Sequence, residues 1–322
     1  MVTRIEADLA ALRFVLMAKK LFEYRPFIEY AGEITEESGK RQYTSKCGLS
    51  CASTTTVLSA YEDKDFLEVW KSKMRAQGFD PDAIGDESAR VGTLAHSFVE
   101  NYLLWGEYCL GNNVENKLAM NAIDNFYSHI CPDMAQAEMP LFYDGMLQKN
   151  PEPFKIAGRY DQLMRLPANV FQYKNGQPLE GQYVIGDLKT KRSYQRNKNG
   201  TIKTKALPRS DRVDMVFKNC LQLSMYAASL SLMSDFKERY GAGVTGAVLV
   251  YCNEEVAKVL HLDRKMLNYY WRVFKDILRD FYGIKPLGKT WRELIQAANG
   301  GYNYETEQFE DYVPREITLI SK

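Results

Sequence analysis

Near residue 130 the apolar residues of this chain change their spacing, and that change limits what it can fold into. Before it the spacing is helical. Ile5, Leu9, Leu12, Leu16 and Leu21 mark a helix over 4–24, and Val57 and Leu58 follow the capping residues Ser53 and Thr54. Phe66, Leu67, Trp70 and Met74 follow Asp63, and Val91, Leu94, Ala95, Phe98, Val99, Tyr102 and Leu103 share a face over 86–109. Another helical pattern covers 114–130, and the polar, turn-rich stretch 27–50 reads as a loop or hairpin. After residue 130, strand patterns cover 134–143, 154–166, 170–173 and 182–188, with Asn175-Gly176 as a hairpin turn signal. A helix over 213–235, strands over 244–252 and 255–262 and a closing helix over 266–282 complete the pattern. The expectation is an α/β (α+β) fold: a mixed central β-sheet flanked by helices, in one structural unit. It divides into a helical N-terminal part (1–130), a core (131–290) and a C-terminal extension (291–322). There is no internal repeat and no low-complexity tract.

At 322 residues the chain can build a sizeable core. Its net charge is only +1, so any contact with nucleic acid must rest on local basic patches. The six cysteines are scattered without a CxxC pair, which reads as reduced thiols; Cys47 and Cys51 form only an isolated CxxxC. Leu9–Ala18 reads as a helix face, not a signal peptide, and no segment is long enough to cross a bilayer.

Two acids end apolar strand patterns: Asp161 in Gly158-Arg159-Tyr160-Asp161, and Asp187 in Ile185-Gly186-Asp187-Leu188-Lys189. Residues two apart on a strand share a face, so Asp187 and Lys189 project together. Two carboxylates beside an amine suit a hard divalent cation and a charged helper, with the Leu188 carbonyl as an extra oxygen. Three further features stand near: His96 and Glu100, four apart on a helix after Gly92; Glu138, early in the first long strand; and Gln222 and Tyr226, four apart on another helix. Each alone reads as an ordinary polar residue at an element's edge.

Taken in order, GxxxHxxxE, E, GxxD, DxK and QxxxY, these residues resemble the PD-(D/E)XK nuclease superfamily. Within it they resemble the branch holding the RecB and AddB nuclease domains, the Cas4 proteins and the mitochondrial genome maintenance exonuclease. Thr54–Ser59 and Phe66–Lys71 resemble the last of these and its phage relatives. The resemblance implies a restriction-endonuclease-like core. It implies that Asp161, Asp187 and His96 hold Mg²⁺ or Mn²⁺, with Glu100 a further candidate. It gives Lys189 the attacking water, Glu138 a supporting acid, Gln222 the steadying of the site, and Tyr226 packing against it or contact with the strand being cut. Only Cys252 follows the QxxxY motif, so no iron–sulfur cluster is expected.

The acids stand 26 positions apart, more than the family's tight hairpin, and an insertion at 167–181 accounts for the excess. A basic run leaves directly after Lys189: Lys191, Arg192, Tyr194, Arg196, Lys198, Lys203, Lys205 and Arg209 read as contacts for DNA phosphates. Lys64, Lys71, Lys73 and Arg75, with Trp70 and Phe79, are expected to arch over the site as in relatives, while His129 and His261 read as structural. The expected function is a deoxyribonuclease, an exonuclease on single-stranded or flapped DNA ends. It would act in replication, recombination or repair beside proteins of those pathways and without a membrane partner. The compartment expected is the cytoplasm, the bacterial host's if phage-encoded, before the mitochondrial matrix. The alternatives are a structure-specific endonuclease on the same fold and a catalytically idle DNA-binding protein.

Overall fold

The computed structural model describes residues 33–37, 40–44, 50–62, 65–108, 111–144, 153–191, 206–208, 213–232, 243–303, 308–310 and 312–320. The helix expected over 4–24 and the capping role of Asp63 lie outside these residues. In chain order the elements are strands β1 (Glu33–Glu37), β2 (Lys40–Thr44) and β3 (Ser50–Ser53), then helices α1 (Thr54–Tyr61), α2 (Asp65–Ala76), α3 (Pro81–Trp105) and α4 (Val114–Asn125). Strands β4 (Cys131–Asp144), β5 (Lys155–Leu166), β6 (Phe171–Tyr173) and β7 (Gln182–Thr190) lead to helix α5 (Phe217–Leu232). Strands β8 (Gly246–Cys252) and β9 (Ala257–Asp263), helices α6 (Arg264–Phe281) and α7 (Trp291–Ala298), and strands β10 (Gly301–Asn303), β11 (Gln308–Glu310) and β12 (Arg315–Leu319) complete the chain.

Among the described residues, ten strands form one mixed sheet in the order β1-β2-β3-β5-β7-β8-β9-β12-β6, with β4 beside β5. The pairs β3–β5 and β7–β8 are parallel and the others antiparallel. Helices cover both faces. On one, α1, α5 and α6 bury Val57, Leu221, Phe217 and Phe274 against Ile185, Leu249 and Leu260. On the other, α3 and α4 bury Val91, Ala95, Val99, Leu118 and Ile123 against Val184, Leu188 and Val248. Burial on both sides explains why β8 reads as an unbroken apolar run.

Capping residues place the helices that matter for the cleft. Ser53 Oγ accepts from the Thr56 amide and starts α1. Asp80 caps α3 ahead of Pro81, and Gly106 closes it in the left-handed region at φ 69°. α4 is capped by Asn113 and α6 by Asp263.

Two parts of the topology differ from the sequence expectation. β6 does not pair with β7 across the Asn175-Gly176 turn; β5 and β7 pair directly, and β6 closes the far edge beside β12. The Asn175-Gly176 turn folds β6 onto the segment behind it, with Tyr173 accepting from the Gly176 amide and Gly176 at φ 82°. The sheet also extends past the 131–290 segment at both ends, through β1–β3 and through β12, which pairs with β9 and β6. Arg315 of β12 lies 4.1 Å from the Tyr173 ring centroid and bonds Asp263. His261 sits in this network, 1 % exposed, its Nδ1 3.0 Å from the Tyr173 hydroxyl. Burial pushes its pKa down to about 4, so it is neutral at ordinary pH.

Candidate active site

The site begins as a gap in the sheet. β4 pairs along one edge of β5, from Lys155 to Arg165. A strand has two edges, so β3 and β7 share the other. β3 pairs there at Ile156 and Ala157, and β7 pairs from Gln162 to Leu166. Between them Gly158, Arg159, Tyr160 and Asp161 have no ladder partner on that edge among the described residues.

β5 also turns over at this gap. Ile156 and Tyr160 belong to the core under α5, whereas Met164 and Leu166, of the same parity, belong to the core under α3 and α4. An uninterrupted strand would keep all four on one face. The reversal falls at Asp161, because Gln162 already points to the α4 side, where the buried Tyr127 hydroxyl donates to its Oε1 at 2.9 Å. Asp161 is left directed at the edge. Its Oδ2 accepts the Leu188 amide at 2.9 Å, a donor the interrupted ladder leaves free.

Asp187 and Lys189 follow the expected period on β7. The Lys189 amine donates to Asp187 Oδ1 at 2.9 Å and approaches Oδ2 at 2.7 Å outside hydrogen-bond geometry. Asp187 is 1 % exposed, and its Oδ2 has no hydrogen-bond partner. Burial raises the Asp187 carboxyl to about 6; Lys189 opposes the rise and Asp161 adds to it. Burial would lower the Lys189 amine, but Asp187 and Asp161 outweigh it and hold the pKa above its ordinary value.

His96 arrives from α3, its Nδ1 3.2 Å from Asp161 Oδ2. The helix can come this close because of Gly92: a Cβ there would stand 3.3 Å from Thr190 Oγ1 of β7. Glu100 lines the same cleft, and burial raises its pKa while Arg159 and His96 oppose the rise. From the opposite face, Gln222 Nε2 of α5 donates to the Tyr226 hydroxyl at 2.9 Å. Tyr226 is buried against Gly158, where a Cβ would lie 2.3 Å from Tyr226 Cε1. The GxxD glycine is thus the space its own site tyrosine occupies. Thr54 Oγ1 donates to the Ala157 carbonyl at 3.0 Å and ties α1 to β5 just below the gap.

The gap opens into a cleft of about 790 Å³ that His96, Glu100, Asp161, Asp187, Lys189, Gln222 and Tyr226 all line. Seven expected site residues therefore meet in one place. Glu138 is placed by register only: Ala137 and Met139 pair with Gln162 and Tyr160, so Glu138 stands across β5 from Asp161, and its side chain lies outside the described residues. Arg192, Tyr194, Arg196, Lys198, Lys203, Lys205 and Arg209 also lie outside them. Lys191 is described, with its amine 5.5 Å from the Tyr251 ring centroid. No residue of α2 lines the cleft among those described, and Lys71 instead pairs with Asp82 at 2.8 Å. Arg159, Tyr43, Ser53, Thr54, Thr55 and Thr93 also line the cleft, though none was expected as a site residue. Arg159 lies inside GxxD, Thr93 inside GxxxHxxxE, and Ser53, Thr54 and Thr55 in or beside Thr54–Ser59, so only Tyr43 stood away from a motif.

Among the described residues no group of three or more His, Cys, Asp or Glu side chains closes into a ready metal cage. The donor chemistry nonetheless suits a hard divalent ion. Carboxylates and an imidazole face the cleft, and the buried Asp187 Oδ2 accepts no hydrogen bond, the Lys189 amine standing 2.7 Å from it outside hydrogen-bond geometry. Among the described residues no helix is long and apolar enough to cross a membrane.

No family model matches the chain, and no curated protein matches it. Among solved structures it is similar to one described as the crystal structure of SSO0001, at 12 % identity and a TM-score of 0.32, over 84 % of this chain and 86 % of that chain. At that score the likeness carries no argument.

Proposed function

We propose that the chain is a magnesium- or manganese-dependent deoxyribonuclease of the PD-(D/E)XK kind, an exonuclease on single-stranded or flapped DNA ends that serves replication, recombination or repair. One observation carries the reading: Asp161 and Asp187 converge with His96 and Lys189 at a gap in the sheet that opens into a cleft. Asp161, Asp187 and His96 would hold the metal, and a divalent cation there would supply Lewis-acid polarisation of the phosphoryl group. The protein's own part is positional. The Leu188 amide and His96 aim Asp161, and Asp187 keeps the Lys189 amine charged beside the reacting phosphate, where it offsets negative charge. Tyr226, set into the space at Gly158, steadies Gln222 at the cleft wall.

The test uses wild type and Asp187→Ala on end-labelled linear and circular single strands, with magnesium and with chelator. The expected result is metal-dependent loss of linear strands by wild type alone. Cleaved circles would replace the exonuclease reading with an endonuclease. Equal activity in the variant would remove the site, and binding without cleavage in any metal would leave an idle DNA-binding protein.

A further inference from the structure

We propose that Gln162 and Tyr127 are positioning residues of the site: their buried hydrogen bond fixes β5 where its ladder with β7 stops, and so holds Asp161 in place relative to Asp187 for a shared metal ion. This rests on the nuclease reading and extends its machinery to two residues behind the cleft.

Gln162 pairs with Gly186 and is the residue at which β5 and β7 part. One step further in the same register would set Asp161 opposite Asp187, and there the ladder has ended. On this edge of β5 the last ladder restraint beside Asp161 is therefore at Gln162.

The side chain at that position is polar where the fold calls for an apolar one. Gln162 is 3 % exposed and points to the side of the sheet covered by α3 and α4. Met164, next on the same face, fills the apolar core there. A buried amide costs stability unless it is bonded. Tyr127 supplies the bond, its hydroxyl donating to Gln162 Oε1 at 2.9 Å. The tyrosine is itself held. It is 2 % exposed, in the single 3-10 turn Tyr127–His129 behind α4, with the Phe126 ring edge-on at 5.1 Å. Burial above all, with Asp161 adding, keeps its pKa well above the ordinary value, so the hydroxyl is a constant donor.

β7 is shaped to receive the amide. Gly186 immediately precedes Asp187, and a Cβ there would stand 3.0 Å from Gln162 Oε1 and run into Met164. The Gln162 amide thus lies over β7 one residue before Asp187, while its backbone follows Asp161 directly. A directional bond fixes the amide in one place; an apolar side chain of similar volume would fill the space without fixing it.

The experiment separates positioning from packing. Wild type, Tyr127→Phe, Gln162→Leu, the double variant and Ile317→Ala are compared below their melting temperatures. Mn²⁺ binding is measured without DNA, by loss of the free-ion EPR signal, and kcat and KM on end-labelled linear single strands over a range of manganese. Tyr127→Phe and Gln162→Leu should each bind Mn²⁺ about tenfold more weakly and lose about tenfold in kcat, with KM for DNA little changed. The double variant should regain melting temperature, because neither partner is left unpaired, without regaining metal affinity or kcat. Ile317→Ala weakens the same core on β12, two strands away from β7, and should melt early with wild-type metal affinity. Wild-type metal affinity and kcat in Tyr127→Phe, recovery of both in the double variant, or equal losses in Ile317→Ala would overturn the proposal and leave the nuclease reading standing. A wild type that neither binds manganese nor cuts DNA overturns the nuclease reading, and the proposal falls with it.

Discussion

Replacing Asp187 by Asn should make the metal-free protein more stable at neutral pH. Asp187 is 1 % exposed, and burial raises its carboxyl from the ordinary 3.8 to about 6 despite the Lys189 amine beside it. Between those values the folded protein holds a proton that the unfolded chain has lost. Stability therefore declines as pH rises through this window, and the full cost is present above it. The gap between 3.8 and about 6 amounts to about 3 kcal/mol. About 2 kcal/mol of this accrues between roughly pH 4 and pH 7. Asn keeps the shape and an oxygen for Lys189 without the charge. Urea unfolding of both proteins in chelator at these two pH values isolates the effect, because other titrating groups cancel in the difference. The variant should gain about 2 kcal/mol on wild type between the two. Magnesium or manganese should then stabilise wild type at neutral pH and leave Asp187→Asn nearly unchanged. A variant that loses as much stability at neutral pH as at acid pH would refute the reasoning, because Asp187 would then be a net stabilising partner of Lys189.

Gly158→Ala should cost about 1–3 kcal/mol, since its methyl falls within 2.3 Å of Tyr226 Cε1; the cost should largely vanish in a Tyr226→Ala background, and an unchanged cost there, read by denaturant titration, would show the clash to lie elsewhere. Ile317→Ala should cost about 2–4 kcal/mol, because this β12 side chain is 3 % exposed in the core under α3 and α4; a loss near zero in the same titration would mean that the strand is not part of the folding unit. Neutralising Arg196, Lys198, Lys203 and Lys205 together should weaken DNA binding and flatten its salt dependence, and an unchanged salt titration would free the basic run from any substrate role.

The elements were legible because burial leaves a period in the sequence. The α3 stripe Val91, Ala95, Val99 and Leu103 is buried as its spacing implies, and the β7 alternation places Asp187 and Lys189 together. Pairing was less legible, because a strand's own residues do not name its neighbour. Phe171–Tyr173 has the composition of a hairpin strand, yet its partner is β12, more than 140 residues later. β12 itself is five residues long and had no recognisable pattern within the C-terminal extension. Arg159 was missed for a related reason. An arginine between apolar strand residues reads as solvent-exposed unless the neighbouring strand is known to be absent.

That absence explains why this stretch carries both kinds of group. A continuous ladder across β3, β5 and β7 would bond every main-chain group at Gly158–Asp161 and leave no opening at the edge. Splitting the partner edge between β3 and β7 frees the Leu188 amide, which then binds a carboxylate in place of a strand carbonyl. The turnover of β5 at Asp161 directs that carboxylate along the sheet, while the regular alternation ahead of it leaves Gly158 beneath Tyr226. Both helices can then deliver side chains to one point, His96 from α3 and Gln222 from α5. The same departure from strand regularity that forfeits ladder bonds brings acids, cations and an imidazole into one cleft. It also follows that a substitution restoring the ladder here should stabilise the fold at the expense of the site.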